Sequence, residues 1–237
     1  MADTVDPFFE PYDRDEIAYG DVPSAPLAAY LAQVKCRGKA IDLGAGAGRD
    51  TIALAKAGFE VTSVDLSNRG AERIRQRAKK SGVGDRVQTC VANVCDHEIG
   101  PESYDAICAT TVLDHITATD ATQVWRRMTR GLRPGGVLYV EVHSTEDPGS
   151  DQSPGNKSDE PASETADAVI NYFRPNQLAG WAIEPESELR ILRYEERLEW
   201  DYTHGEEHQH GKAILLAVKS GAHPPWYGQP AAFPRRD

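Results

Sequence analysis

Between residues 39 and 143, short apolar runs alternate with stretches of helical spacing. The runs KAIDLGAG, EVTSVDLS, RVQTCVANV, YDAICATTV and GGVLYVEVH are too short for helices and are bounded by glycine or polar turns, the pattern of buried strands. Between the first two, RDTIALAKAGF places Ile52, Leu54, Ala55 and Phe59 at helical spacing, with Gly58 as the stop. Ser67 stands where it can cap the helix NRGAERIRQRAKKSG, which ends at Gly82. ATQVWRRMTRGL is a further helix, stopped by RPGG. Strands alternating with helices imply right-handed crossovers and a parallel sheet covered on both faces.

The pattern changes after His143. Residues 144–168 hold acids, Ser, Pro and Gly without aliphatic periodicity, which predicts a mobile insertion within the domain. Order is expected again at INYFRPNQLAGWA, where Pro175 fits the first turn of a short helix. Two more strands, LRILRYEERLEW and GKAILLAVKS, close the fold, and the turn between them carries His204, His208 and His210 with Glu206 and Glu207. The expected organisation is one α/β domain over residues 31–219. An aromatic segment precedes it over 1–30 (Phe8, Phe9, Tyr12 and Tyr19), suited to a lid, and a Pro-rich tail follows over 220–237.

Composition narrows the partners. A chain of 237 residues with a formal net charge of −11 repels phosphate backbones and anionic membranes, so neither nucleic acid nor membrane is expected. No apolar run approaches the ~20 residues of a membrane helix, and the acidic N-terminus is no secretion signal. The four cysteines, Cys36, Cys90, Cys95 and Cys108, form no CxxC pair. Reduced thiols in a soluble cytoplasmic protein are the economical expectation. Oligomeric state is left open.

The candidate chemistry starts in AIDLGAGAGRD. Gly44, Gly46 and Gly48 follow a strand and precede a helix, where a ligand can approach the backbone closely. Asp65 ends the next strand about 20 residues on, the place of an acid that accepts hydrogen bonds from ribose hydroxyls. Both features also suit a nicotinamide dinucleotide, and so an NAD-dependent oxidoreductase. Asp42, just before the loop, argues otherwise, because a carboxylate there disfavours pyrophosphate and suits a cofactor with positive charge. Asn93 and Val94, after the third strand, suit either an adenine edge and face or ordinary packing at a strand end. His115 and His143, after strands four and five, are candidate general bases or acceptor-orienting donors; the alternative for Asp114 and His115 is a helix cap. The turn histidines His204, His208 and His210 admit three readings: contact with substrate, a divalent metal site, or a solvated hairpin.

Taken in order, IDLGAGAGRD, VTSVDLS, CVANV, YDAICATTVLDHI and LRPGGVLYV resemble the motifs of class I S-adenosylmethionine-dependent methyltransferases. Within that group, AIDLGAGAGRDTIALAKAGFEVTSVDLS and the histidine-bearing segment before AILLAVK are most similar to the tellurite-resistance methyltransferases. The resemblance implies a Rossmann-like, seven-stranded, mostly parallel sheet with an antiparallel seventh strand and helices on both faces. It implies S-adenosylmethionine held by Asp42, Gly44, Ala45, Gly46, Gly48, Arg49, Asp65, Leu66, Asn93, Val94 and Thr110. It places the histidine turn at the carboxyl edge of the sheet, so that His204, His208 and His210 face a small-molecule acceptor, with His115 and His143 as catalytic candidates. Two departures matter. Asn93 stands where the third motif usually has Asp, and residues 203–212 lack clear counterparts of the family's substrate-end arginines. The acceptor is therefore expected to be a small neutral, cationic or soft nucleophile, and a chalcogen oxyanion such as tellurite or selenite only if a histidinium supplies charge. A catalytically silent protein that binds S-adenosylmethionine or metal is the alternative.

Overall fold

The computed structural model describes residues 20–34, 37–151, 166–203 and 205–222. In chain order the elements are α1 (Ala25–Gln33), β1 (Lys39–Leu43), α2 (Arg49–Ala57), β2 (Glu60–Asp65), α3 (Asn68–Lys80), β3 (Val87–Val91), β4 (Tyr104–Thr110), α4 (Ala118–Gly131), β5 (Leu132–His143), α5 (Gln177–Ile183), β6 (Leu189–Asp201) and β7 (His208–Lys219). The strands form one sheet in the order β3-β2-β1-β4-β5-β7-β6. β7 runs antiparallel to both of its neighbours, and the remaining pairs are parallel. This is the seven-stranded sheet with a reversed seventh strand that the sequence implied.

Alternation along the strands splits the core in two. On one face Ile41, Ile107, Leu138, Val140 and Leu215 pack under Val124, Trp125 and Met128 of α4 and Leu178 of α5. On the other, Ala40, Ala106, Cys108, Tyr139, Ile214 and Leu216 pack under Leu27 and Tyr30 of α1 and Leu54 and Ala55 of α2. Each fully buried leucine or isoleucine contributes ~1.5–3 kcal/mol by leaving water.

The second face turns polar at the carboxyl edge of the parallel strands. Continuing in steps of two, Ala40 leads to Asp42, Cys108 to Thr110, Tyr139 to Glu141 and His143, and Ile214 back to Lys212 and His210. Ligands bind beyond this edge in open α/β sheets, at the point where strand order reverses, here between β1 and β4.

Several boundaries differ from expectation. Ser67 caps α3 as expected, accepting the Gly70 N–H at 3.0 Å. Pro175 lies in a turn, and α5 starts only at Gln177 because Asn176 takes a left-handed backbone (φ 63°). His208 and His210 belong to β7 and not to the turn, since the period of two continues through HQHGK and pairs them with Asp201 and Glu199. The described ends of the 144–168 segment are held in place. Ser144 donates its N–H to Gly211 O at 2.7 Å, and Thr145 to Phe173 O at 2.9 Å. Gly211 is required there, because a Cβ would lie 2.4 Å from Asp147 N. Residues 152–165 lie outside the described residues, as do the aromatic positions Phe8, Phe9, Tyr12 and Tyr19.

Candidate active site

A single cavity of about 720 Å³ opens at the polar carboxyl edge and runs across the sheet from β2 to β6. That volume suits a nucleoside-sized ligand with space beside it. One end is lined by Gly44–Ala47, Asp65–Ser67, Asn93 and Val94; the other by Glu141, His143, Arg197, His210 and Lys212. Gly20–Val22, Ser24, Trp200 and Tyr202 form part of the rim.

The first end is built around the glycine loop. Gly44, Gly46 and Gly48 all have left-handed backbones (φ 63°, 52° and 84°), so no side chain intervenes between loop and ligand. Asp65 braces the loop, its carboxylate accepting the Gly46 N–H and the Ser67 N–H, each at 2.8 Å. Asn93 lies two residues past β3, and its Oδ1 accepts the Cys95 N–H at 2.9 Å. Leu66 is 69% exposed, an apolar surface at the mouth.

Between the ends sits a buried carboxylate pair. Asp42 is 2% exposed and accepts Thr51 Oγ1–H at 2.6 Å. Burial first, and then the neighbouring Asp50, push its pKa up to about 8. Asp50 is better partnered: Arg49 donates through Nε and a terminal nitrogen at 3.0 and 3.2 Å, and Thr110 Oγ1–H donates at 2.7 Å. The arrangement stores a proton at Asp42 near neutrality, ready to be displaced by a cation.

The second end holds linked imidazoles. Asp114 is fully buried, and its Oδ2 accepts both the backbone N–H of His143 (3.0 Å) and the ring Nδ1–H. Burial would raise the Asp114 carboxyl, but the charge of His115 and the bonds from His143 hold it below the ordinary range. His143 is thereby locked with Nε2 as its remaining nitrogen. His115 is fixed in the same way, Nδ1 lying 2.8 Å from Ala168 O. The two rings stand edge to face with centroids 6.0 Å apart. Asp114 and His115 do not cap the next helix; Thr117 does, accepting the Asp120 N–H at 3.1 Å. Ser24 donates to Tyr139 and Tyr139 to Glu141, a chain from the rim to a carboxylate that is 1% exposed. Lys212 reaches Glu199 at 2.8 Å and Glu141 at 3.9 Å. Burial opposes its charge, yet these two acids keep its pKa raised.

Of the residues expected from sequence, Asp42, Gly44, Ala45, Gly46, Arg49, Asp65, Leu66, Asn93, Val94, Thr110, His115, His143 and His210 all line this cavity. Gly48 sits just behind it, at the start of α2. His208 is buried behind His210, their Nε2 atoms 3.1 Å apart. His204 lies outside the described residues. Sequence reasoning missed Asp50, Glu141, Arg197, Glu199, Asp201 and Lys212. For all but Asp50, which lies in α2, the signal was present: polar residues at every second position in YVEVH, RLEWD and HQHGK. Among the described residues, carboxylates and imidazoles able to hold a cation gather in three overlapping groups: Asp114, His115 and His143; His143, Asp147 and His210; and Asp201, His208 and His210.

Comparison with known proteins agrees with this geometry. Residues 40–136 match a family model described as a methyltransferase domain. The 27-O-demethylrifamycin SV methyltransferase of Amycolatopsis mediterranei is 32% identical over 133 residues, 54% of this chain and 48% of that protein. The tRNA 5-carboxymethoxyuridine methyltransferase of Escherichia coli is 35% identical over 109 residues, 45% of this chain and 40% of that protein. The chain spans about half or less of the length of such curated relatives. Among solved structures, TehB from Haemophilus influenzae shares the fold with a TM-score of 0.65 at 18% identity, covering 90% of this chain and 66% of that one. Residues 40–136 thus match the methyltransferase-domain model, and the chain as a whole shares the fold of TehB.

Proposed function

We propose that this chain transfers the sulfonium methyl group of S-adenosylmethionine to a small-molecule acceptor. The observation that carries the proposal is a single cavity with two chemically different ends joined by the buried Asp42. At the glycine-loop end, the Asp65 carboxylate lines the cavity beside the loop it braces and accepts the ribose hydroxyls. Asn93 turns its carbonyl oxygen to Cys95 and offers its amide NH₂ to adenine, while Leu66 and Val94 flank the ring. Asp42 answers the positive charge of the methionine portion, and Arg49 its carboxylate.

The other end would position the acceptor against the methyl carbon. The leaving group is already good, so positioning supplies most of the acceleration. Where the acceptor arrives protonated, His143 takes the proton at Nε2 and Asp114 stabilises the resulting imidazolium. His115 and His210 shape the same wall. The positive charges of Arg197 and Lys212 are matched by Glu195, Glu199 and Glu141. This balance favours a neutral or soft nucleophile over a tellurite or selenite oxyanion. Curated relatives act on acceptors as different as a rifamycin and a tRNA uridine, going by their names. A net charge of −11 favours the small molecule for this chain. Among the described residues no helix is long and apolar enough to cross a membrane, and Cys90, Cys95 and Cys108 are free thiols. Both facts fit the cytoplasmic site we assign to the reaction.

Release of S-adenosylhomocysteine across a panel of phenols, amines, thiols, tellurite and selenite tests the reading. Release above the acceptor-free rate with a thiol, amine or phenol is expected. Silence across the panel, with S-adenosylmethionine bound, would favour a binding protein without catalysis.

A further inference from the structure

We propose that Asp201, His208 and His210 hold a divalent first-row transition-metal ion at the acceptor end of the cavity. The three come from two paired strands: Asp201 at the end of β6 lies opposite His208 at the start of β7, and His210 follows two residues on, on the same face. His208 Nε2 and His210 Nε2 are 3.1 Å apart, and Asp201 Oδ2 lies 3.8 Å from His210 Nε2. One donor atom from each of the three residues lies within 4.8 Å of the others. Metal–nitrogen bonds of about 2.0–2.1 Å place neighbouring ligand atoms about 3.0–3.4 Å apart in octahedral or tetrahedral coordination. The 3.1 Å separation meets that requirement and the 3.8 Å separation lies close to it.

The hydrogen bonds behind each ligand point the same way. His208 Nδ1 lies 2.6 Å from the Glu206 carbonyl, to which only an N–H can donate. His210 Nδ1 lies 3.1 Å from Asp147 Oδ2. The Asp147 carboxylate also accepts the Gly211 N–H at 3.0 Å and the Gly149 N–H at 2.7 Å, which marks it as an anion receiving protons. Both rings thus turn Nε2, the nitrogen that would ligate an ion, toward the same point between them. A carboxylate behind a ligating histidine is the common support of metal sites. Asp201 is anchored too, with Oδ1 accepting both the N–H and the Oγ1–H of Thr203 at 2.7 Å. Two imidazoles and a carboxylate suit zinc, iron(II) or cobalt(II) better than magnesium or calcium. His143, Asp147 and His210 make a weaker alternative, because Asp147 is committed to backbone donors and His143 to Asp114.

Asp201 and His210 line the cavity while His208 lies behind them, so the open coordination positions face the acceptor. An acceptor hydroxyl or thiol bound there would lose its proton more readily. That consequence rests on the methyl-transfer reading; ion binding does not.

The test is titration of the chelator-treated full chain with cobalt(II), followed by visible absorption, with zinc content measured in parallel. A single equivalent with d–d bands is expected. His208→Ala, His210→Ala and Asp201→Asn should each weaken cobalt at least ~100-fold, and Asp147→Asn by ~10–100-fold. His143→Ala should retain the site. S-adenosylmethionine affinity, measured on every variant, should stay unchanged, which separates failure here from failure of the methyltransferase reading and also reports folding. Absence of stoichiometric cobalt, or loss in His143→Ala with retention in His208→Ala, would overturn the assignment.

Discussion

His143→Ala is expected to slow methyl transfer by ~100- to 10,000-fold and to leave S-adenosylmethionine affinity unchanged. The asymmetry follows from place. His143 ends β5, on the acceptor side of the strand-order reversal, while the glycine loop and Asp65 lie on the other side. Its ring is held by a fully buried carboxylate whose second oxygen, Oδ1, has no hydrogen-bond partner among the described residues. Such a carboxylate is costly unless it stays paired with His143, so the pair behaves as a unit. Asp114→Asn keeps the shape but no longer stabilises the imidazolium, and its loss in turnover should approach that of His143→Ala. Steady-state S-adenosylhomocysteine release and calorimetric cofactor binding are the paired readouts. Equal losses in both would mean that His143 supports the fold and not the reaction.

The second large effect is at Asp42. Asp42→Asn should weaken S-adenosylmethionine by about 2 kcal/mol or more, roughly 30-fold, because a cation then meets no countercharge in a buried site. The same change should stabilise the unliganded protein. Burial and Asp50 raise the folded-state pKa from 3.8 to about 8, so the folded chain binds the extra proton between those values. Stability therefore falls as pH rises through that window, and the whole penalty is present above pH 8. Asparagine carries no such penalty. The melting temperatures of the two proteins should be close near pH 4, and the variant should lead by several degrees at pH 8–9. Cofactor affinity of the parent should also tighten as pH rises toward 8, since the cation displaces a proton, whereas that of the variant should stay flat. A variant with parental affinity and no pH-dependent gain in stability would remove Asp42 from the cofactor site.

The fold and the cofactor end were legible because they depend on local signals. Glycines after a strand, an acid at the next strand end and period-two apolar runs are written in consecutive residues. The acceptor end depends on pairing across the chain. Asp114 belongs with His143, Asp147 with His210, and Asp201 with His208 only once β5, β7 and β6 lie side by side. In the sequence the histidines read as a cluster in a turn, yet the strand begins at His208, and the Asp147 carboxylate that orients His210 comes from a segment that reads as polar linker. Asp147 is the clearest case. It stands in a stretch whose composition predicts mobility, and its side chain is 4% exposed because it satisfies Gly149, Gly211 and His210 together. Composition reports whether a segment carries an apolar face; it says nothing about one side chain that closes three hydrogen bonds.

We propose that the cavity between Asp65 and His143 is built for a sulfonium cofactor. Calorimetric titration of the full chain with S-adenosylmethionine and, separately, with NAD measures this most directly. Saturable one-to-one binding of S-adenosylmethionine, with proton release near pH 7 and no heat from NAD, is the predicted result. Tight NAD binding with no S-adenosylmethionine binding would contradict it.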